Sequence, residues 1–247
     1  MKVIGVIPAR YQSTRFNGKA LALIAGRPMI QHVYENAARA SLLRELLVAT
    51  DDQRIAEAVR EVGGKAVMTS AHHPSGTDRV AEAVHDLEAD VVVNIQGDEP
   101  FISGRSIDQA VGPFLENSQL EMSTLVREIH EQARLDDPNV VKAVLDRRGY
   151  ALYFSRTAVP YARRRERFRA YEHIGLYAYR KSFLLQLARL PASDLEFTEG
   201  LEQLRVLEHG HRILAVPTEH HVGISVDTPA DLEQAEQFFA KSAAGQP

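Results

Sequence analysis

Three cations fall within ten residues near the start of the chain: Arg10, Arg15 and Lys19, in the stretch PARYQSTRFNGK from Pro8 to Lys19. The loop follows a short apolar run, Val3 to Ile7, that reads as a buried strand. Pro8 is expected to stop that strand, because its ring removes a ladder donor. A cationic loop just past a strand of an α/β sheet is where such folds collect phosphates. Neither common phosphate motif is present. A Walker loop needs glycine where Ser13 stands and Ser or Thr where Ala20 stands. A dinucleotide fingerprint needs three glycines, and the loop offers only Gly18. Phosphates would therefore meet Arg and Lys side chains and loop amides.

Carboxylates supply the second half of such chemistry. Asp98 lies just beyond the apolar run Asp90 to Ile95, in Gln96-Gly97-Asp98-Glu99-Pro100. Two neighbouring acids near a core are costly unless a cation faces one of them. Magnesium fits, since it takes carboxylate and phosphate oxygens together. Asp227 follows the strand-like Ile224 to Val226 and precedes Thr228-Pro229; spacing leaves it open between a metal-facing acid and an ordinary helix starter. Ser75-Gly76-Thr77-Asp78-Arg79 opens a helix and either reads the edge of a flat base or simply caps. Arg156 could hold a carboxylate in a two-pronged contact or pair with a nearby acid. Glu202, Gln203 and Arg205 lie on a helix beside Leu201, Leu204 and Leu207, where most polar residues are solvated. Adjacent His72 and His73 make a poor metal pair. His209, His211, His220 and His221 are expected to be solvated.

The elements that must position these residues alternate. Ile30, Val33, Tyr34 and Ala37 form a helix face entered through Pro28. Leu46 to Ala49 and Lys65 to Met68 read as strands, separated by a helix with Ile55, Ala58, Val59 and Val62 inward and Gly63-Gly64 as its stop. Val80, Ala83, Val84 and Leu87 mark another helix, and Ile107, Ala110, Val111 and Phe114 a further one. This β-α alternation predicts an α/β fold with a doubly wound, mostly parallel sheet. The second half changes character. Val140 to Leu145 and Tyr150 to Phe154 flank a hairpin turn, and Glu172 to Tyr179 is strand-like. Helical patterns cover Phe183 to Leu190 and Leu195 to Leu207, then comes a strand at Ile213 to Val216. Thr228, Pro229 and Asp231 open a final capped helix. Together these predict one domain with an inserted antiparallel subregion. Arg163 to Arg169, with five arginines, reads as a solvated, mobile loop.

Bulk composition narrows the classes. The 247 residues are 45% hydrophobic and 25% charged, ordinary for a globular chain. A net charge of −4 opposes general nucleic-acid binding but not a small anionic substrate. Without cysteine there is no disulfide, thiol nucleophile or thiolate metal site. No apolar run is long enough to span a membrane or serve as a signal segment, so a soluble cytoplasmic protein is expected.

Eight ordered stretches carry a resemblance. They are PARYQSTRFNGK (8–19), HHPSGTDR (72–79), NIQGDEP (94–100), NVVKAVLD (139–146), GYALYFSR (149–156), HIGLYAYR (173–180), LEQLRVLEHG (201–210) and VDTPADLE (226–233). Over almost its whole length the chain resembles the 3-deoxy-manno-octulosonate cytidylyltransferases, or CMP-Kdo synthetases. The resemblance implies transfer of CMP from CTP to the acidic sugar Kdo, with release of pyrophosphate, for lipopolysaccharide synthesis in the cytoplasm. It also implies a magnesium-dependent homodimer of nucleotide-diphospho-sugar transferase fold. One domain, 1–247, would hold a nucleotide-binding half over about 1–135, a sugar-binding and dimerisation region over about 136–220, and a return to the core over about 221–240.

Roles follow residue by residue. Arg10 and Lys19 match residues that neutralise the triphosphate, and Ala9, Ser13, Ser75 and Gln96 match the nucleotide site. Asp98 and Asp227 match magnesium-binding aspartates. Arg156, His173, Tyr177, Glu202 and Gln203 fall where the family holds the sugar and its carboxylate. The expected chemistry is in-line attack of the sugar's anomeric hydroxyl on the α-phosphorus, helped by positioning and charge neutralisation. Phe16-Asn17-Gly18-Lys19-Ala20-Leu21 replaces the family's usual Leu-Pro-Gly-Lys-Pro-Leu, so a less rigid loop and weaker nucleotide affinity are expected. The short, arginine-rich stretch from Pro160 to His173 also departs, leaving a related acidic sugar such as an 8-amino analogue of Kdo or a sialic acid as an alternative acceptor. A catalytically dead CTP-binding regulator is the rival from another class, opposed by the intact Arg10, Lys19, Asp98 and Asp227.

Overall fold

The computed structural model describes residues 1–12 and 16–243, so Ser13 of the expected nucleotide site lies outside the described residues. The chain forms two compact units: Met1–Asp108 with the segment from His220 onward, and Gln109–Glu219.

The first unit opens with β1 (Val3–Ala9), the small hairpin β2 (Leu23–Ile24) and β3 (Arg27–Pro28), and α1 (Met29–Ala37). Then come β4 (Glu45–Thr50), α2 (Gln53–Glu61), β5 (Lys65–Met68), α3 (Gly76–Val84), β6 (Val91–Asn94) and α4 (Gly104–Val111), within which the unit boundary falls. Four strands pair in parallel in the order β6–β1–β4–β5. Such strands are covered on both faces, so they are continuously apolar; Val3, Ile4, Val6, Ile7 and Val91 to Val93 are buried. The order fixes where a ligand belongs. From β1 the chain moves outward through β4 and β5, then returns to place β6 on the opposite side of β1. That reversal opens a crevice at the carboxyl ends of β1 and β6.

Pro8 does not stop β1, which runs on to Ala9 opposite Thr50 of β4. The Val3 carbonyl accepts from Arg44 N and the Val6 carbonyl from Ile95 N. Alternate residues therefore serve opposite neighbours, and Pro8 lacks its donor on the β6 side. There β6 has already ended its pairing, at Val6 opposite Asn94. The helices follow the predicted faces. Ile30, Val33, Ile55, Val59, Val80 and Val84 are all fully buried. Gly63 takes a left-handed φ of 74° and closes α2 through Gly63 N to Arg60 O and Gly64 N to Val59 O. The unit ends with α10 (Pro229–Ala243), whose Thr228 and Asp231 exchange the bonds of a capping box. Ile224 to Val226 is not a strand. One backbone bond, Val226 N to Asp98 O at 2.8 Å, ties it to the turn after β6, and one bond makes no ladder.

The second unit holds α5 (Pro113–Glu116), β7 (Met122–Ile129), α6 (Gln132–Asp136), β8 (Lys142–Leu145) and β9 (Ala151–Ser155). It continues through β10 (Ala170–Arg180), α7 (Lys181–Leu187), α8 (Asp194–Glu199), α9 (Gln203–Glu208) and β11 (Ile213–Pro217). β7 pairs antiparallel with β10 and parallel with β11, while β8 joins β9 and β10 antiparallel. The β8–β9 turn is the predicted one: Asp146 accepts from Arg148 N and Tyr150 N, and Gly149 sits at φ 84°. β7 was not expected from sequence, because Ser123 and Thr124 interrupt its apolar pattern. Both are buried and satisfied, Ser123 on the Ala110 carbonyl at 2.6 Å and Thr124 on the Ile174 and Leu176 carbonyls. The helical pattern Leu195 to Leu207 is broken in two by Gly200 at φ 63°, which ends α8. All five arginines between Arg163 and Arg169 are exposed, on a segment without helix or strand.

Candidate active site

In the first unit a cleft of about 300 Å³ opens at the crevice. Pro8, Ala9 and Arg10 reach it from the end of β1, and Lys19 from the following loop. Gln96, Gly97 and Asp98 reach it from the turn after β6, Ser75 and Gly76 from the start of α3, and Asp227 from the segment before α10. Gly97 has a steric reason to be glycine: a Cβ there would meet the Pro8 carbonyl oxygen at 2.7 Å. Gly18 sits at φ 70°, and its N–H donates to the Tyr11 carbonyl at 2.8 Å, closing the loop that delivers Lys19.

The centre of the cleft is a cation between two acids. Lys19 Nζ donates to Asp98 Oδ2 at 2.6 Å and to Asp227 Oδ1 at 3.0 Å. Burial opposes the ammonium charge, but Asp98 and then Asp227 outweigh it and hold Lys19 above its ordinary value. Three side chains far apart in sequence thus converge on one point, with a net charge of −1. Hard carboxylate oxygens that already share one cation are the donor set magnesium takes beside phosphates, so the residues fit that ion. Glu99, the other acid of the turn, points elsewhere: its Oε2 lies 4.0 Å from His221 Nε2. His221 is therefore not solvated as expected, because its side chain is only 6% exposed. Ser75 caps α3, with its hydroxyl accepting from Asp78 N. His73 lines the cleft and pairs with Glu82, and buried Arg79 donates to Thr69 and Asp51. Arg10 is exposed at the rim.

The residues expected to hold a sugar cluster in the second unit. Thr124 Oγ1 lies 3.0 Å from His173 Nε2, and Gln203 Nε2 lies 3.5 Å from His173 Nδ1. Tyr177 donates to Gln203 Oε1 at 3.3 Å. One proton order satisfies the whole chain. Thr124 donates to a β10 carbonyl, His173 Nε2–H to Thr124, the Gln203 amide to His173 Nδ1, and Tyr177 to Gln203. That order requires a neutral imidazole. Burial enforces it, pushing His173 down to about 3. Burial, then the Glu202 charge, pushes the Tyr177 hydroxyl up, so it stays a donor. Arg156 leans on the α8–α9 joint: Nε donates to the Glu199 carbonyl at 2.8 Å, Nη1 to Pro138 O at 3.1 Å and Nη2 to Gly200 O at 3.3 Å. Arg205 is a structural partner of Glu196, bonded at 2.7 and 2.6 Å.

Sequence reasoning missed Thr124, Lys142 and Glu199, which hold this cluster. Glu199 accepts from the Ser155 hydroxyl and from Arg156 N. Lys142 is fully buried within the apolar pattern of β8, a signal legible as a lysine in the quoted motif NVVKAVLD.

Known proteins match this chain over nearly all its length. Residues 4–213 match the family model described as Cytidylyltransferase. The chain is similar to the 3-deoxy-manno-octulosonate cytidylyltransferase of Trichlorobacter lovleyi, 50% identical over 96% of this chain and 98% of the relative. It is 51% identical to the protein of the same name from Geobacter sulfurreducens, over 95% of this chain and 98% of that one. Among solved structures it is similar to CMP:2-keto-3-deoxy-manno-octonic acid synthetase complexed with CTP, with a TM-score of 0.94 at 44% identity, over 98% of this chain and 100% of the other. A 4-diphosphocytidyl-2C-methyl-D-erythritol synthase from Anaerococcus prevotii, at 12% identity and a TM-score of 0.63, shares the fold alone.

Proposed function

We propose that this chain, which belongs to the 3-deoxy-manno-octulosonate cytidylyltransferase family, transfers CMP from CTP to Kdo and releases pyrophosphate. The observation that carries the reading is identity of about half the residues with several such enzymes, end to end on both chains. The product serves lipopolysaccharide synthesis in the cytoplasm. No helix among the described residues is long and apolar enough to cross a membrane.

The anomeric oxygen of the sugar forms a bond to the α-phosphorus as the bond to the pyrophosphate oxygen breaks. Such a transfer needs positioning and charge neutralisation more than covalent help. Lys19 is charged and preoriented, and triphosphate oxygens are stronger partners for it than two acids it must share. Arg10, exposed at the rim, meets the departing pyrophosphate. Ala9, Ser75 and Gln96 line the nucleotide end of the cleft. Asp98 and Asp227 hold magnesium, which when bound supplies charge neutralisation for phosphate oxygens and acidifies a nearby hydroxyl. His173, neutral and with both ring nitrogens engaged, orients the acceptor rather than abstracting its proton. The terminal nitrogens of Arg156, with the longer bonds at 3.1 and 3.3 Å, exchange carbonyls for the sugar carboxylate. Tyr177, Glu202 and Gln203 bond its hydroxyls. The enzyme works as a homodimer, as its membership of the family implies.

Pyrophosphate release from CTP, measured with Kdo, its 8-amino analogue, N-acetylneuraminate and no acceptor, tests this. Kdo is expected to give the highest kcat/KM. Faster release with another sugar reassigns the acceptor, and CTP binding without release from any sugar leaves a regulator.

A further inference from the structure

The transfer chemistry does not explain why Lys142 is buried. Its exposure is zero, and its ammonium has no carboxylate in direct contact. Nζ donates to three backbone carbonyls: Asp137 at 2.8 Å, Val140 at 2.7 Å, and Arg156. Burial is costly for this charge and pushes its pKa down, against the more distant pull of Asp137, Asp136 and Glu199. Apolar packing would fill the position without that cost. The three carbonyls explain what the charge does. Asp137 and Val140 bracket Pro138, whose carbonyl receives Arg156 Nη1, and the third belongs to Arg156 itself. The ammonium thus ties the backbone that carries the Arg156 guanidinium to the loop against which it rests. Glu199 closes the knot from the other side through Ser155 Oγ and Arg156 N, at 2.7 and 2.9 Å.

From this geometry we infer that Lys142 is a positioning residue for the anionic acceptor: it sets the place and direction of Arg156 without touching substrate. The inference rests on the proposed sugar-binding role of Arg156. Three parallel features support it. The bonds at Nζ fill the donor capacity of an ammonium, leaving it nothing to offer a ligand. Both ends of the tether belong to the Arg156 environment. No other side chain bonds all three carbonyls among the hydrogen bonds described.

The test is steady-state kinetics of Lys142→Met, which keeps the apolar stem and removes the charge, beside Leu187→Ala, a buried change in α7 of the same unit. Losing a charged hydrogen-bond anchor predicts an acceptor KM raised at least about tenfold. The KM for CTP and kcat at saturating acceptor stay within about threefold, because the nucleotide cleft is untouched. Leu187→Ala lowers the melting temperature without moving the acceptor KM. Lys142→Gln, which retains amide donors, gives an intermediate KM and stands in should the methionine variant not fold. In the Arg156→Ala background, Lys142→Met or Lys142→Gln adds nothing further to the acceptor KM. An unmoved acceptor KM, a parallel rise in both substrates' KM values, or full additivity with Arg156→Ala overturns the positioning role. Wild type inert toward Kdo would overturn the parent reading together with it.

Discussion

Replacing Asp98 by asparagine separates a chemical role from a structural one. The change is isosteric and leaves the Asp98 carbonyl, which receives Val226 N, untouched. What it removes is the negative charge 2.6 Å from the Lys19 ammonium, leaving Asp227 at 3.0 Å as its charged partner. The three side chains are 20%, 24% and 30% exposed, so solvent screens the contact. A partly exposed ion pair of this kind contributes about 1 kcal/mol or less to stability. For a chain of this size that lowers the melting temperature by at most about 4 °C. The kinetic cost is larger, because the carboxylate is worth most where charge develops. Losing one preorganised electrostatic contact in such a site costs on the order of 10²–10³ in rate. The expectation is therefore a folded protein with at least a hundredfold lower kcat. Continuous pyrophosphate detection at saturating CTP, Kdo and magnesium reads the rate, and thermal unfolding on the same sample reads the fold. Asp98→Asn turning over within about threefold of wild type would refute the reasoning, as would a loss of rate matched by a large loss of melting temperature.

Asp227→Asn halves the acidic donor set, so the magnesium concentration for half-maximal rate should rise at least about tenfold, and chelation of wild type should abolish turnover; a titration unchanged by the substitution would contradict it. Gly97→Ala drives a Cβ into the Pro8 carbonyl at 2.7 Å, contact with backbone that cannot swing away. Denaturant unfolding should show a cost of about 1–3 kcal/mol, with weakened CTP binding by calorimetry. His173 is held near 3 when folded but titrates near 6.5 unfolded, so the unfolded state takes up the extra proton between those values. Stability contributed by the neutral ring is fully present above about pH 6.5 and lost as pH falls towards 3, by up to about 2 kcal/mol between pH 7 and pH 5. Urea unfolding at those two pH values should show this difference in wild type and lose it in His173→Gln.

Legibility differed between the two units for physical reasons. In the first, fully buried parallel strands such as Val91 to Asn94 read as apolar runs, and Ser75, Gly63 and Thr228 gave sharp helix boundaries. The crevice then followed from strand order, and the turn acid Asp98 could be placed on it from sequence. Asp227 could not be placed by spacing, because its segment is held by a single backbone bond to a turn 128 residues away. In the second unit β7 escaped notice, since Ser123 and Thr124 are polar by type yet buried and satisfied by carbonyls of other elements. The chain of bonds through Thr124, His173, Gln203 and Tyr177 likewise depends on pairings that leave no local pattern. Gly200 was visible, but periodicity continued across it, and only its left-handed φ separates α8 from α9. Lys19 was read as a phosphate ligand alone; that it also bridges both carboxylates needed coordinates.

The central claim is that Lys19, Asp98 and Asp227 form the seat of the nucleotide's reacting phosphates. A crystal structure with magnesium and a CTP analogue carrying a methylene bridge between the α- and β-phosphorus tests it most directly. The account predicts a cation bonded to oxygens of Asp98 and Asp227, with Lys19 Nζ moved onto the phosphates. A triphosphate bound elsewhere, with the Lys19 ammonium still shared between the two acids, would contradict it.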